Sequence, residues 1–372
     1  MKQKLLAVSL AVGLIVLIAA PAAAEGWKFV VMSDSQGSSG DSTEGVATRT
    51  LKIVVDDVVK NVKPDLIMFT GDLVQGAATA EELEKQLMTF RSTMAPVYEA
   101  KIPLYAMRGS HDTGPNVTRP WAAGVWNKVF AGPYAMPANG PADEKGLTYS
   151  FTHKNATFIA IDGYKTPDTM KLTIDQKWVD AQLAANTAPH VFAFQHTQIK
   201  KVEHSESLDN TGPMRDAFVK SLVAAGGRAF FCGHMHVSNC TRLNNDAVDP
   251  AAKSEADDFY QIIVPPSCTK SYSWKNRKYD GKKIPGMTPS TVHHSQTREP
   301  GYVIVEVDGL KVTLTAKLID KQGKTRTDYT LSFTAAGKGA AKAAARKAPT
   351  PLPPPLVRRP CTCRGVRPAA SM

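Results

Sequence analysis

Short apolar segments that alternate with helical patterns constrain the fold of this chain more than any other feature. The apolar runs begin near residues 28, 65, 102, 156, 190 and 228, and the helical patterns cover about residues 44–60, 80–94, 174–185 and 214–225. Buried strands that alternate with helices predict an α/β protein. Hairpin patterns at 147–163 and 301–320 add antiparallel strands, so either one mixed sheet or two sheets packed face to face is expected.

The ends of these predicted strands share one kind of chemistry. The runs finish in SDSQ (33–36), TGD (70–72), RGSHD (108–112), FQH (194–196) and CGHMH (232–236). A single Asp after a strand is most often a turn former, but five such ends, with carboxylates first and imidazoles last, exceed what turn chemistry explains. In open α/β sheets the loops after the strands form the ligand crevice. Carboxylate and imidazole together suit Mn, Fe or Zn, so the sequence predicts a metal site there.

In this order the strand ends resemble the motifs of the calcineurin-like metallophosphoesterases, which include purple acid phosphatases and phosphodiesterases. That family carries D-x-H, G-D, G-N-H-D/E, a lone H and G-H-x-H, each after a strand. The matching residues are Asp34-Ser35-Gln36, Gly71-Asp72, Gly109-Ser110-His111-Asp112, His196 and Gly233-His234-Met235-His236. The resemblance covers about residues 27–335. It implies a four-layer α/β/β/α sandwich of two mixed β-sheets flanked by helices.

The resemblance also implies a dinuclear metal centre. Asp34 and His236 would hold the first ion, and Asp72 would bridge both ions. His196 and His234 would hold the second. Two ions of Mn, Fe or Zn would neutralise a phosphate and activate a bound water as hydroxide for in-line attack. The implied activity is therefore hydrolysis of a phosphorylated small molecule, as a phosphoric monoester or diester.

Five further positions refine this interpretation. His111 would assist the leaving group without binding metal, and Asp112 would orient the His111 imidazole. Gln36 stands where the family usually has His, and we interpret it as a variant ligand. Ser110 stands where Asn usually binds the second metal, and its hydroxyl predicts a weaker or water-completed second site. Gln75 stands where purple phosphatases place Tyr, so an iron(III)–tyrosinate centre is not expected.

Two other functions fit parts of the pattern. With Gln36 and Ser110 substituted, the fold could bind metal or a phosphorylated ligand without turnover, although the other ligand positions and His111 are retained. The Ser110-His111-Asp112 run could suggest a serine hydrolase. However, neighbouring side chains on an extended chain point apart, and the sequence has no G-x-S-x-G elbow. We therefore favour the metallophosphoesterase.

Composition divides the chain into three parts. Residues 1–24 combine a basic start, an apolar core and small residues, which is typical of an export signal and predicts a periplasmic or extracellular protein. Residues 25–337 form the expected metallophosphoesterase domain. Residues 338–372 carry eight Lys or Arg and no acidic residue, and their Ala and Pro content is typical of a disordered tail. Because the net charge of +11 lies mostly at the ends, no specific nucleic-acid partner is expected.

Three features outside the motifs have two interpretations each. Cys240 and Cys268 could form a disulfide, or each could be a small buried residue. His293 and His294 could line the mouth of the site, but solvated loop positions fit them better. The basic stretch 269–283 is either a rim that attracts an anionic substrate or a solvated loop. After residue 24 no stretch is long and apolar enough to predict a stable membrane span.

Overall fold

The structure is a computed structural model that describes residues 26–37, 40–114, 117–202, 206–244, 258–272, 288–296 and 298–335. The predicted export signal (1–24), the predicted tail (338–372) and most of the basic stretch 269–283 lie outside the described residues. Within the described ranges, no helix has the length and apolar character needed to cross a membrane.

The described part of the chain contains thirteen strands and six α-helices. The strands are β1 (Trp27–Met32), β2 (Leu66–Phe69), β3 (Leu104–Ala106), β4 (Tyr149–His153), β5 (Ala156–Ala160), β6 (His190–Phe194), β7 (Ala229–Cys232), β8 (Ser238–Asn244), β9 (Phe259–Ile263), β10 (Thr288–Ser295), β11 (Gly301–Asp308), β12 (Lys311–Ile319) and β13 (Thr325–Thr334). The helices are α1 (Thr48–Asp57), α2 (Ala80–Thr93), α3 (Ala95–Glu99), α4 (Ala122–Val129), α5 (Gln176–Ala185) and α6 (Pro213–Ala224). The four predicted helical patterns therefore correspond to α1, α2, α5 and α6.

The strands form two mixed sheets. The first sheet has the order β13-β12-β11-β1-β2-β3, and the second has the order β10-β8-β9-β7-β6-β5-β4. In the first sheet β1, β2 and β3 are parallel, whereas β11 to β13 are antiparallel. In the second sheet β5, β6, β7 and β9 are parallel to one another. Strand β4 pairs antiparallel with β5, β8 pairs antiparallel with β9, and β10 pairs antiparallel with β8. The predicted β4–β5 and β11–β12 hairpins are thus confirmed.

An aromatic layer joins the two sheets face to face. Phe29 of β1 lies 5.1 Å from Phe158 of β5 and 5.1 Å from Phe192 of β6, measured between ring centroids. Successive residues of β6 point to opposite faces. Phe192 therefore belongs to this inner layer, whereas Val191 packs outward with α5 and α6. Helices α1 and α2 cover the outer face of the first sheet. The predicted four-layer α/β/β/α sandwich is confirmed.

The sequence analysis does not predict two of the polar edge strands, β10 and β13. Strand β10 forms one edge of the second sheet, and β13 forms one edge of the first. Both strands are partly exposed and lack a continuous apolar run, so periodicity does not reveal them. The expectation that His293 and His294 are loop residues is wrong, because both lie in β10, where His293 Nε2 is 2.8 Å from Asp328 Oδ2. Cys240 and Cys268 are free and buried, so of the two interpretations the small buried residue is the one observed.

Candidate metal centre

The loops after β1, β2, β6 and β7 gather carboxylates and imidazoles into one buried cluster. Two groups of three residues each offer ligand atoms that lie within 4.8 Å of one another. One group is Asp34, Asp72 and His236, and the other is Asp72, His196 and His234. All five side chains are buried. Asp72 belongs to both groups, which is the arrangement expected of a carboxylate that bridges two cations.

The shortest distances in the cluster run through Asp72 and His196. His196 Nε2 lies 3.2 Å from Asp72 Oδ2, and His234 Nδ1 lies 3.2 Å from His196 Nε2. On the other side of Asp72, His236 Nε2 is 3.5 Å from Asp34 Oδ1. The polar atoms of these buried side chains therefore face one another. The structure thus brings together the five residues that the sequence analysis names as candidate ligands.

The backbone at four of these residues is left-handed. Asp34, Asp72, His234 and His236 have φ angles of 52°, 53°, 69° and 48°. For non-glycine residues this conformation costs about 1–3 kcal/mol each and persists only where the surrounding structure imposes it. The backbone at these four residues is thus strained. Backbone strain of this kind clusters at functional sites.

Glycines allow the motif loops to approach one another. A Cβ atom on Gly109 would collide with Asp72, and one on Gly233 would collide with Ser33 and the Asp34 carboxylate. Each of these glycines comes directly before a residue at the centre. The glycines of the strand-end motifs are therefore explained by close packing between loops rather than by turn formation alone.

Backbone carbonyls fix the orientation of two imidazoles. His196 Nδ1 lies 2.9 Å from the carbonyl oxygen of Thr70, and His236 Nδ1 lies 3.1 Å from that of Lys270. A carbonyl only accepts, so each Nδ1 carries a proton, and in the neutral imidazole the Nε2 lone pair faces the cluster. Metal-binding histidines commonly have this arrangement.

The electrostatics of the cluster favour an added positive charge. Burial would raise the pKa of the Asp72 carboxyl, but the His196 and His111 imidazoles beside it hold that pKa well below its usual range. Burial opposes protonation of His196, yet the Asp72 and Asp34 carboxylates raise its pKa to about 10. A proton on His196 thus compensates these carboxylates, and a metal cation can do so instead.

Gln36 and Ser110, the two positions that depart from the family pattern, also face the cluster. The Gln36 amide nitrogen lies 3.1 Å from Asp72 Oδ2 and 2.9 Å from His236 Nε2. Its oxygen, Oε1, is buried and has no hydrogen-bond partner among the described residues. Ser110 Oγ lies 3.4 Å and 3.5 Å from the two Asp72 oxygens. Both side chains are therefore within reach of a cation beside Asp72.

His111 lies at the rim of the cluster. Its side chain is 26% exposed, and its Nε2 is 4.0 Å from Asp72 Oδ2. Its Nδ1 lies 2.6 Å from the carbonyl oxygen of Gln75, which fixes the ring. The backbone N–H of His111 donates to Asp72 Oδ1 at 2.8 Å. The His111 ring is thus beside the candidate metal ligands and outside both ligand groups.

The predicted role of Asp112 as the partner of the His111 ring is wrong. The Asp112 carboxylate is fully buried and accepts hydrogen bonds from the backbone N–H groups of Gly109, Leu73 and Val74 at 2.7, 3.0 and 3.2 Å. Burial and the adjacent Asp72 charge raise the pKa of Asp112 to about 7. Asp112 joins the loops after β2 and β3, and so positions Asp72 and His111 through the backbone.

Glu206 and Tyr164 also lie at the centre and were not predicted. Glu206 Oε2 is 3.5 Å from His234 Nε2, and burial raises the pKa of Glu206 to about 7. The buried Tyr164 ring lies 6.2 Å from the His196 ring, measured between centroids. The loop after β6 also contains Glu203 and His204, and no motif spacing distinguishes Glu206 from these neighbours. Only the three-dimensional path of the loop identifies it.

A cavity of about 730 Å³ adjoins Glu206. Apolar side chains, among them Met170, Leu172 and Met214, line it together with Lys165 and Lys171. The cavity therefore offers apolar surface and cationic side chains next to the residue that contacts His234.

Comparison with known proteins agrees with this geometry. Residues 28–238, more than half of the chain, match the calcineurin-like phosphoesterase family. Over 233 residues the chain is 24% identical to "Probable inactive purple acid phosphatase 14" of Arabidopsis thaliana, a match that covers 50% of this chain and 57% of that protein. The matched region thus spans little more than half the length of this relative.

Two solved structures share the fold. The structure of PhoD superposes with a TM-score of 0.62 at 14% identity, covering 83% of this chain and 70% of PhoD. A purple acid phosphatase from yellow lupin seeds superposes with a TM-score of 0.60 at 14% identity, covering 83% of this chain and 54% of the lupin enzyme. With the ordered motifs, the two-sheet fold and the match over residues 28–238, the chain belongs to the calcineurin-like phosphoesterase family.

Proposed function

We propose that this protein is a metal-dependent hydrolase that cleaves phosphoester bonds at a dinuclear centre. The observation that carries the proposal is the pair of ligand groups that share Asp72. The first ion would be held by Asp34, Gln36, Asp72 and His236. The second would be held by Asp72, Ser110, His196 and His234. The mixture of carboxylate, amide, hydroxyl and imidazole donors suits Mn, Fe or Zn.

The residues fit such ions. Gln36 Oε1 is buried without a hydrogen-bond partner in the described ranges. Rotating the Gln36 amide by 180° exchanges its nitrogen and oxygen and turns Oε1 toward Asp72 and His236. A bound cation would give this oxygen the partner that it lacks, and would also satisfy the Nε2 lone pairs of His196 and His236.

The side chains around the proposed ions have different roles in the reaction. Metal ions bound here would neutralise the phosphate and lower the pKa of a coordinated water. His111 supports the leaving group, because its Nδ1 is occupied by the Gln75 carbonyl and its exposed edge carries Nε2. Nε2 is thus the atom that can hold a proton for the departing oxygen. Asp112 connects the loop that carries Asp72 with the loop that carries His111, because its carboxylate accepts hydrogen bonds from backbone N–H groups of both loops.

The second candidate function is metal or phospholigand binding without turnover. The name of the Arabidopsis relative, which describes that protein as inactive, favours it, and so does the weak hydroxyl ligand Ser110. In favour of the enzyme, both ligand groups are complete and His111 is in place beside Asp72. A protein that only binds would not need His111.

The test is a hydrolysis assay on the purified protein with p-nitrophenyl phosphate, bis(p-nitrophenyl) phosphate and a panel of natural phosphoesters. The proposal expects turnover that a chelator abolishes and that added Mn²⁺ or Zn²⁺ restores. Two bound ions without turnover of any ester would contradict the enzyme and support the binding function. Activity that survives complete metal removal would contradict both.

We also propose that the protein acts outside the cytoplasm, on the basis of the signal-like residues 1–24. Expression with and without these residues, followed by fractionation, tests this. Recovery of the full chain in the cytoplasmic fraction would contradict export.

A further inference from the structure

His234 differs from the other imidazoles of the centre in how its ring is fixed. His111, His196 and His236 each place Nδ1 against a backbone carbonyl. His234 has the opposite orientation, because its Nδ1 faces His196 Nε2 at 3.2 Å and its Nε2 faces Glu206 Oε2 at 3.5 Å. Nδ1 is therefore the atom of His234 that can bind the second metal.

We propose that Glu206 is a positioning residue for the second metal ion. By accepting the Nε2–H of His234, its carboxylate fixes the tautomer that leaves the Nδ1 lone pair facing Asp72 and His196. The inference rests on the proposed dinuclear function. It assigns to Glu206 the task that backbone carbonyls perform for the other imidazoles.

Two hydrogen bonds with Gln198 anchor the loop that carries Glu206. Gln198 Nε2 donates to the carbonyl oxygen of Glu206 at 2.8 Å, and the backbone N–H of Leu208 donates to the carbonyl oxygen of Gln198 at 2.9 Å. Both bonds tie Gln198 to the chain at and just after Glu206. The position of its carboxylate is thus determined by the fold around it.

A buried ionic network holds the same loop. Asp209 pairs with Lys200 and with Arg215, and the Lys200 and Arg215 side chains are each only 1% exposed. Gln261 on β9 adds a pair of hydrogen bonds to the backbone of Lys200 at 2.7 and 3.1 Å. Burying charged side chains costs desolvation free energy unless they are well paired. An ordinary surface loop would not need such a network. It is explained if the loop must present Glu206 accurately.

Ser110 is the reason why the second site would need this support. A serine hydroxyl stands where the family usually offers an amide oxygen, so the site depends more heavily on His196 and His234. Removing a carboxylate that orients a metal-binding His typically weakens metal affinity about 10- to 100-fold. The effect should be largest for the second ion, since His234, the imidazole that Glu206 contacts, belongs only to the second ligand group.

The test is a stepwise Co²⁺ titration of the metal-free full-length protein, followed by visible absorption and calorimetry. Glu206→Ala should raise the Kd of the second ion about 10- to 100-fold and change its absorption bands, while the first Kd changes less. Glu206→Gln keeps an accepting oxygen and should recover part of the loss. Glu82→Ala, on the exposed face of α2, is the matched control and should behave like the wild type.

The possible failures are distinguishable. Two ions in the wild type with an unchanged second Kd in Glu206→Ala would overturn the role of Glu206 and leave the dinuclear proposal intact. Equal weakening of both ions, together with a lower Tm, would show general structural damage and would also overturn it. A wild-type protein that binds fewer than two ions would overturn the dinuclear proposal and this inference together.

Discussion

The two sheets of the sandwich contribute opposite chemistry to one centre. The first sheet delivers the carboxylates Asp34 and Asp72 at the ends of β1 and β2. The second sheet delivers the imidazoles His196, His234 and His236 after β6 and β7. Neither half contains a complete ligand group, so the centre exists only when the sheets pack. A metal ion held there would link the N-terminal and C-terminal halves of the domain.

One ion pair crosses between the sheets with the reverse polarity. Arg108, after β3 of the first sheet, donates to Asp162, after β5 of the second, with Nε 2.9 Å from Oδ2. Both side chains are almost completely buried, at 2% and 0% exposure. The sheets are therefore joined by a structural charge pair as well as by the candidate metal centre, and the two links can be broken separately.

Asp72→Asn should have the largest effect on the centre, because this residue belongs to both ligand groups. We expect both ions to be lost together and turnover to fall by more than the roughly 10⁴-fold that removal of one acid–base group can cause. Elemental analysis and the hydrolysis assay check this, with Asp34→Ala as the comparison that should mainly empty the first site. Full metal content in Asp72→Asn would show that Asp72 is not the bridge.

His111→Ala should separate catalysis from metal binding. The metal content should remain near that of the wild type, while kcat for alkyl phosphates falls on the order of 10²- to 10⁴-fold. With p-nitrophenolate as the leaving group the loss should be smaller, because that oxygen needs little protonation. An equal loss with both kinds of substrate would mean that His111 is not the acid, and loss of metal would mean that it is a ligand.

Arg108→Met should weaken the joint between the sheets without removing a metal ligand. Leaving the Asp162 carboxylate buried and unpaired should lower the free energy of unfolding by about 3–5 kcal/mol. Urea unfolding of the metal-free protein measures this, so that bound metal does not mask the change. The Arg108→Met/Asp162→Asn double variant should recover part of the loss, and a loss in the single variant below about 1 kcal/mol would contradict a structural role.

Ser110→Asn should have the smallest effect and the opposite sign. An amide oxygen in place of the hydroxyl beside Asp72 should tighten binding of the second ion by up to about tenfold, or about 1.4 kcal/mol. Metal titration of the variant against the wild type measures this difference. An unchanged affinity would show that Ser110, or a water that it holds, already completes the second site.

The candidate ligands could be predicted from the sequence because of their position in the fold. A ligand directly after a buried strand is placed by two strong signals, the apolar run and the break that follows it. Asp34, Asp72 and His196 are such residues. The fold class could be predicted for the same reason, since the strands that lead into the candidate metal centre are also the ones with the clearest apolar runs.

The errors and omissions arise where the contacts are non-local or backbone-mediated. The family resemblance implies that Asp112 orients the His111 ring, yet adjacent side chains diverge and the Asp112 carboxylate accepts from backbone N–H groups instead. Glu206 lies in a long loop whose path is set by the buried Lys200–Asp209–Arg215 network. No periodicity encodes that path.

Anomalous X-ray diffraction from crystals loaded with Mn²⁺ or Zn²⁺ tests the central claim most directly, because it locates each ion without relying on activity. We predict two peaks on either side of Asp72, the first among Asp34, Gln36 and His236 and the second between His196 and His234. Peaks elsewhere, or no peak within coordination distance of Asp72, would contradict the proposal that the two sheets together build a dinuclear metal centre.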